Sequence, residues 1–351
     1  MLAKLHIQLP FELNILLGEN YNIYTFEKDG YRITTEIPTS TGQGNPANSF
    51  DEMQINGKPC YPANVITFTF QKDSFLRDEN SPIDPPKELV QETLNWFLGR
   101  LKFVAKAPQV KLIDFPHCQW RIVYLNDDLS ELEETKGFIR GRGTSMFSIT
   151  FLGCDTELWD LIYSLPDDFE PPAWHTLLLD ARGALPHIGT SVVLSATALE
   201  IFIAELLEKL VKKTKIPKTL WSWLNNRDGK FSKEPSVEEK YDALLKLMTK
   251  NSLKTEHKLW KGFLELRNAR NTFVHKGLAK VNGKELTVDE AQLLIANAEL
   301  IIAKIREWIP ERYRWPEINH TIELQLIKKF SNELSTPPDI QETQSQTEQG
   351  T

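Results

Sequence analysis

One stretch of the chain, residues 264–277, reads Leu-Glu-Leu-Arg-Asn-Ala-Arg-Asn-Thr-Phe-Val-His-Lys-Gly. Arg267, Arg270, Asn271, His275 and Lys276 bring two guanidinium groups, an amide, an imidazole and an ammonium within about three turns of a helix. These are groups that hold phosphate and move protons. A guanidinium stays charged and forks onto phosphate oxygens, and an imidazole titrates near neutrality, at about 6.5 when unperturbed. At about 100° per residue with Arg267 at 0°, Phe263 falls at −40°, Val274 at −20°, Trp260 at 20°, Asn271 at 40°, Leu264 at 60° and His275 at 80°. Arg267 and Asn271 are therefore expected on the apolar face, with Arg270, at about −60°, on its edge. A guanidinium on such a face needs a carboxylate, an anion or a water-filled cleft opposite it. An earlier helical segment offers Glu200, beside a core stripe of Val192, Ala196, Leu199, Ile203, Leu206 and Leu210. The same residues also fit plainer roles. His275, Lys276 and Gly277 suit an ordinary helix end, with cations at the negative pole and glycine in the left-handed cap, and an Arg–Glu pair between helices is often architectural.

The elements that must carry these groups fall into two regions. Residues 1–150 read mainly as strands: 21–26 and 31–37 flank the turn dipeptide Asp29-Gly30, a second turn signal stands at Asn56-Gly57, and 65–70 alternates apolar with polar. Further strands are expected at 109–115, 119–125, 138–142 and 146–152. One helix interrupts them, with Asp84 as its cap, Pro85 and Pro86 in its first turn, and a stripe from Leu89 to Val104. Residues 1–170 are thus expected to form an α+β domain. A short helix at 155–165 leads into an acidic, proline-bearing joint, with the boundary near Pro171. Beyond it the period becomes helical at 173–185, 190–212, 237–250, 256–275 and 288–308, an all-α bundle of about five helices over residues 171–312. The long loop at 213–235 is expected to cover one end of the bundle. Residues 313–330 read as an extension and 331–351 as a disordered tail.

Charge is unevenly spread. Residues 209–284 hold 19 Lys and Arg against 7 Asp and Glu, a net of +12 in a chain whose formal charge is −7. A local field of that size attracts a polyanion although the whole protein is acidic. Three cysteines without CxxC spacing argue against a disulfide framework and for a reducing compartment. The alternating start of the chain lacks the apolar block of an export signal, and no run of eighteen apolar residues is present, so a cytoplasmic protein with no membrane contact is expected. The histidines are scattered without HxH or HxxxH, so no metal site is expected. Gly141-Arg142-Gly143-Thr144 is too short for a phosphate loop and lacks its lysine, and there is no GxSxG.

Arg270-Asn271-Thr272-Phe273-Val274-His275, with four residues between arginine and histidine, resembles the signature of HEPN domains (higher eukaryotes and prokaryotes nucleotide-binding). Leu266-Arg267 resembles the approach to that motif, and the segment from Val192 to Glu200 resembles the long helix carrying the family's acidic residue. The resemblance covers about residues 173–310 and nothing before them. It implies a HEPN-like bundle that dimerises so that two Arg-Asn-His ends line one cleft. It also implies a metal-independent endoribonuclease of the kind found in toxin–antitoxin and phage-defence systems, or a module that only binds nucleotides or RNA. On this resemblance Arg270, Asn271 and His275 form the site, Glu200 supports it, Arg267 and Lys276 bind substrate, and no cofactor is needed. Cleavage through the ribose 2′-hydroxyl requires a base, an acid for the 5′-oxygen and positive charge for the phosphorane, which these residue types supply. RNA and a second copy of the chain are the expected partners, with an antitoxin or trigger for the first domain. A protein-interaction scaffold is the remaining alternative.

Overall fold

The computed structural model describes residues 2–40, 53–72, 76–78, 81–82, 84–115, 118–126, 131–137, 151–212, 217–225 and 235–326. The strand expected at 138–142, residues 146–150 of the one expected at 146–152, Gly141 to Thr144, most of the 213–235 loop and the 331–351 tail lie outside the described residues. The chain is mixed α and β, with a largely antiparallel sheet in an α+β region followed by a helical one.

The spine of the sheet is β1 (Leu2–Leu16), whose alternation hides Ala3, Leu5, Ile7 and Leu9 on one face. The hairpin of β2 (Tyr24–Lys28) and β3 (Tyr31–Thr39) closes at Asp29 and Gly30, both at positive φ (52° and 76°), as a tight two-residue turn requires. Next come β4 (Met53–Ile55), β5 (Lys58–Gln71), and a short pair, β6 (Leu76–Asp78) and β7 (Ser81–Pro82). After α1 (Lys87–Val104) the sheet continues through β8 (Trp120–Leu125), β9 (Glu131–Gly137) and β10 (Phe151–Cys154), followed by α2 (Thr156–Ser164). β1 pairs antiparallel with β5 and β8, and its second half pairs in parallel with β10. One face of the sheet packs on α1 and α2, where Phe97 meets Phe68 and Trp159 edge-on or tilted at 6.3 and 5.9 Å.

Two sequence expectations fail here for stated reasons. Residues 109–115 do not form a strand, because side chains of α1 take their backbone groups: Gln91 bonds Ile113 and Phe115, and Asn95 accepts from the Ile113 amide at 3.1 Å. Asp84 does not cap α1, which starts at Lys87 without a side-chain cap; its carboxylate accepts from the Tyr124 hydroxyl instead.

The second region holds α3 (Ala173–Gly183), α4 (Ile188–Val211), α5 (Lys218–Asn225), α6 (Val237–Glu239), a π-helical stretch at 240–244, α7 (Leu245–Thr249) and α8 (His257–Lys276). A hairpin of β11 (Lys280–Val281) and β12 (Lys284–Glu285) leads to α9 (Val288–Trp308). The core of this region runs from Trp174 to Ile309 around α4. Among the described residues α4 is the helix long and apolar enough to cross a bilayer, but its Val192, Leu199, Phe202, Ile203 and Leu206 are buried against α3, α8 and α9. Core packing accounts for its composition.

Residues 313–326 are the described part of the expected extension, and from Ile318 onward they pack on the first region. Ile318 joins the first core, His320 Nε2 lies 3.0 Å from both carboxylate oxygens of Asp155, and β13 (Leu324–Leu326) pairs with β4.

The two regions meet where α1 touches the joint. Arg100 donates to the carbonyls of Ile162 (3.2 Å), Leu165 (3.0 Å), Pro166 and Asp167 (3.2 Å). Lys102 and Lys111 hold Asp180 of α3 at 2.7 and 2.6 Å. His175 stacks near Phe103 at 4.7 Å, and its Nδ1 is buried with no hydrogen-bond partner. Burial, reinforced by Lys106, Lys102 and Arg182, pushes its pKa down to about 4. The ring therefore stays neutral in the folded chain while the unfolded chain takes up a proton below about pH 6.5, so stability falls as pH drops through that window. Urea unfolding at pH 7 and pH 4.5 is expected to differ by up to about 3 kcal/mol more in the wild type than in His175→Phe. Equal pH slopes in the two proteins refute this role for His175.

Candidate functional site

The site residues sit in the last three turns of α8, whose end is set locally. Gly277 takes the left-handed conformation (φ 71°) and its amide closes on the Phe273 carbonyl at 2.7 Å. Thr272 then ties the helix to the hairpin that follows, its hydroxyl accepting from the Lys280 amide at 2.9 Å.

The face that α8 buries differs from the one its apolar residues suggest. Gly262, Phe263, Leu266 and Ala269 are buried, while Leu264 and Val274 are 37% and 53% exposed. Small residues make the contact: a Cβ on Gly262 would lie 2.3 Å from the Asn297 side chain of α9. The buried stripe therefore centres roughly 110–120° away from Arg267 on the side of Leu266, and the expectation that Arg267 and Asn271 point with the core is corrected. Arg270 lies nearer the core than either.

Each expected residue can now be placed. Arg267, about a quarter exposed, is ion-paired with Glu238 of α6 and has its guanidinium 5.8 Å from the Phe263 ring centre. Arg270 is half-buried; its Nη1 donates to Asn271 Oδ1 at 3.1 Å, and its Nε is shut off from solvent without an acceptor. Leaving such a donor unmet costs about 1–3 kcal/mol. Asn271, His275 and Lys276 are exposed, and among the described residues His275 and Lys276 make no hydrogen bond or ion pair. Glu200 is half-buried beside Tyr241, which burial, aided by the Glu200 charge, keeps protonated. No hydrogen bond or ion pair joins Glu200 to Arg267, Arg270 or His275.

Arg270 and Asn271 are thus brought together, and His275 follows little more than one turn later on the side of Asn271. A hollow formed by described residues lies on the sheet and is lined by none of the three. Leu264 and Val274 on α8, and Leu278 just after it, are also exposed, Leu278 at 42%. Two contributors are missing from the sequence reading. Glu238 neutralises Arg267, and the signal for it was a carboxylate just inside a Ser236–Glu239 capping box. Gly189, in the first turn of α4, lets Phe273 lie against that helix, since a Cβ there would be 1.9 Å from the ring.

No protein-family model, curated protein or solved structure matches the chain. Gly189→Ala is expected to displace Phe273, between Asn271 and His275, and to lower stability by about 1–3 kcal/mol through overpacking. Chemical denaturation tests this, and an unchanged midpoint would contradict the close α4–α8 contact.

Proposed function

We propose that the helical region is a HEPN-type, metal-independent endoribonuclease module, acting in the cytoplasm as a homodimer, with the α+β region docking a trigger or antitoxin. The observation that carries this reading is Arg270. Its guanidinium has no carboxylate partner among the described residues, is bonded only to the side chain of Asn271, and keeps one shielded Nε without an acceptor. A phosphate can be gripped by the guanidinium of Arg270, whose charge no carboxylate among the described residues neutralises. His275, exposed nearby, is the proton carrier of the proposed reaction. It takes the 2′-hydroxyl proton as the oxygen attacks phosphorus, and a second imidazole, from the other copy, protonates the departing 5′-oxygen, leaving a 2′,3′-cyclic phosphate. Pairing about a two-fold axis covers Leu264, Val274 and Leu278 and brings the two helix ends together. Lys276 and the basic run around it draw the strand in, while Arg267 contributes only once phosphate displaces Glu238. Glu200, lacking a cationic partner, is the supporting carboxylate of this reading.

A second reading rests on the position of His275 and Lys276 in the last turn before Gly277, where a cation is favourable with no catalytic task. The bundle is then an RNA- or nucleotide-binding module without cleavage. Incubation of purified protein with mixed cellular RNA in EDTA, followed by end-group analysis, separates the two. Fragments ending in 2′,3′-cyclic phosphate are expected. His275→Ala should lower the cleavage rate by about a hundredfold or more with RNA affinity nearly intact, whereas Arg270→Ala should weaken binding. Binding without any cleavage by the wild type leaves the second reading. Absence of salt-dependent RNA retention removes both in favour of a protein-interaction surface.

A further inference from the structure

The segment after α9 crosses the first region as a bound peptide would. From Ile318 to Glu323 its side chains alternate: Ile318, His320 and Ile322 turn inward, while Asn319, Thr321 and Glu323 are exposed, the period of two of a strand. Its backbone is held as well. The Asn56 amide donates to the Glu323 carbonyl and the Glu323 amide to Asn56 Oδ1, both at 2.9 Å, before β13 pairs with β4. Main-chain bonds for affinity and alternate side chains for specificity are how a sheet edge takes up an extended peptide.

Each inward position meets a distinct surface. Ile318, 8% exposed, enters the first core. His320 stands between two carboxylates, with Nε2 3.0 Å from both oxygens of Asp155 and Nδ1 3.3 Å from Glu157. Ile322 lies on Gly153 of β10, where a Cβ would come within 2.6 Å of its Cγ2, so the glycine makes the seat. That seat is incomplete. Asn14 of β1 is the register partner of Gly153, so its side chain points to the same face. It is fully buried there, and neither its Oδ1 nor its Nδ2 has a hydrogen-bond partner among the described residues. The chain's own segment therefore covers the groove without meeting that amide.

We propose that this groove is the docking site for an extended segment of a partner protein, and that residues 318–326 hold it until the partner arrives. The segment it fits has a β-branched apolar residue, a basic residue two positions on and a threonine two further. Threonine keeps the methyl that Ile322 places on Gly153 and puts a hydroxyl in place of the other branch, within reach of Asn14. A wholly apolar strand would leave the amide unmet, and an acidic one would face Asp155 and Glu157. Displacement is felt at the bundle, because Glu317, at the start of the segment, is held by Arg306 of α9 at 3.0 Å. The proposal rests on the docking role given above to the α+β region and not on the ribonuclease reading of the bundle.

Fluorescence anisotropy of a labelled peptide of residues 318–326 tests it without RNA, so the result is separate from that of the cleavage assay. His320→Ala in the full chain loosens the segment in place, and this variant should bind the peptide with Kd below about 1 mM and at least about tenfold more tightly than the wild type. The Ile322→Thr form of the peptide should bind about threefold or more tighter still, and Asn14→Leu in the chain should reverse that order. Thermal unfolding checks that the variants fold. If either does not, hydrogen exchange of the wild type with excess Ile322→Thr peptide takes its place, and amides 323–326 should lose protection. No binding by His320→Ala, equal binding by it and the wild type, a threonine form no tighter than the isoleucine form, or an order unchanged in Asn14→Leu overturns the proposal. So does protection of 323–326 that the peptide leaves untouched.

Discussion

The buried guanidinium of Arg100 hydrogen-bonds through Nη1 and Nη2 to carbonyl oxygens, while its Nε has no hydrogen-bond partner among the described residues. Among the described residues no carboxylate pairs with it; four carbonyls between Ile162 and Asp167 converge on it, and the Trp96 ring lies 4.0 Å from it. Two needs are met at once. The last carbonyls of α2 have no helical donors, and a buried cation has no water. Because the cation is rooted in α1, the carbonyls can lie in only one place relative to the sheet, and so can the joint that follows. Phe103 against Phe169 and His175, and Lys102 against Asp180, continue the same contact into α3. Arg100, Lys102 and Phe103, all on α1, together hold the joint and the start of α3.

Most helix positions were legible because apolar residues recur at helical spacing, and α9 has the expected bounds, but α5 (Lys218–Asn225) lies in the segment that reads as a loop. The orientation of α8 was not legible. Apolar residues were weighted by type, and Leu264 and Val274 outweighed Gly262 and Ala269, whose contribution is close approach and not hydrophobicity. Residues 109–115 alternate as a strand does, yet their hydrogen-bond partners come from Gln91 and Asn95, which no periodicity reveals. The sequence offers Glu200 of α4 as a carboxylate for Arg267, but its partner is Glu238 of α6. In each case the missing information is a long-range pairing.

The candidate site consequently has an unusual setting. Asn271 and His275 stand on the outward side of α8 among exposed leucine and valine, and Arg270 reaches inward to a place where a donor goes unmet. An isolated chain thereby carries two unsatisfied features side by side, an apolar surface in water and a shielded N–H without an acceptor.

The pairing of β13 with β4, and the seating of Ile318 and His320 on the first core, alter how the helical region is attached. It is an insert, with both of its ends tethered to the same sheet. A single flexible link would allow the bundle to swing freely; two anchor points leave it little more than rocking about the line that joins them. Any rearrangement of the sheet is therefore felt at both ends of the bundle, and excising residues 171–312 as a fragment would remove both anchors together.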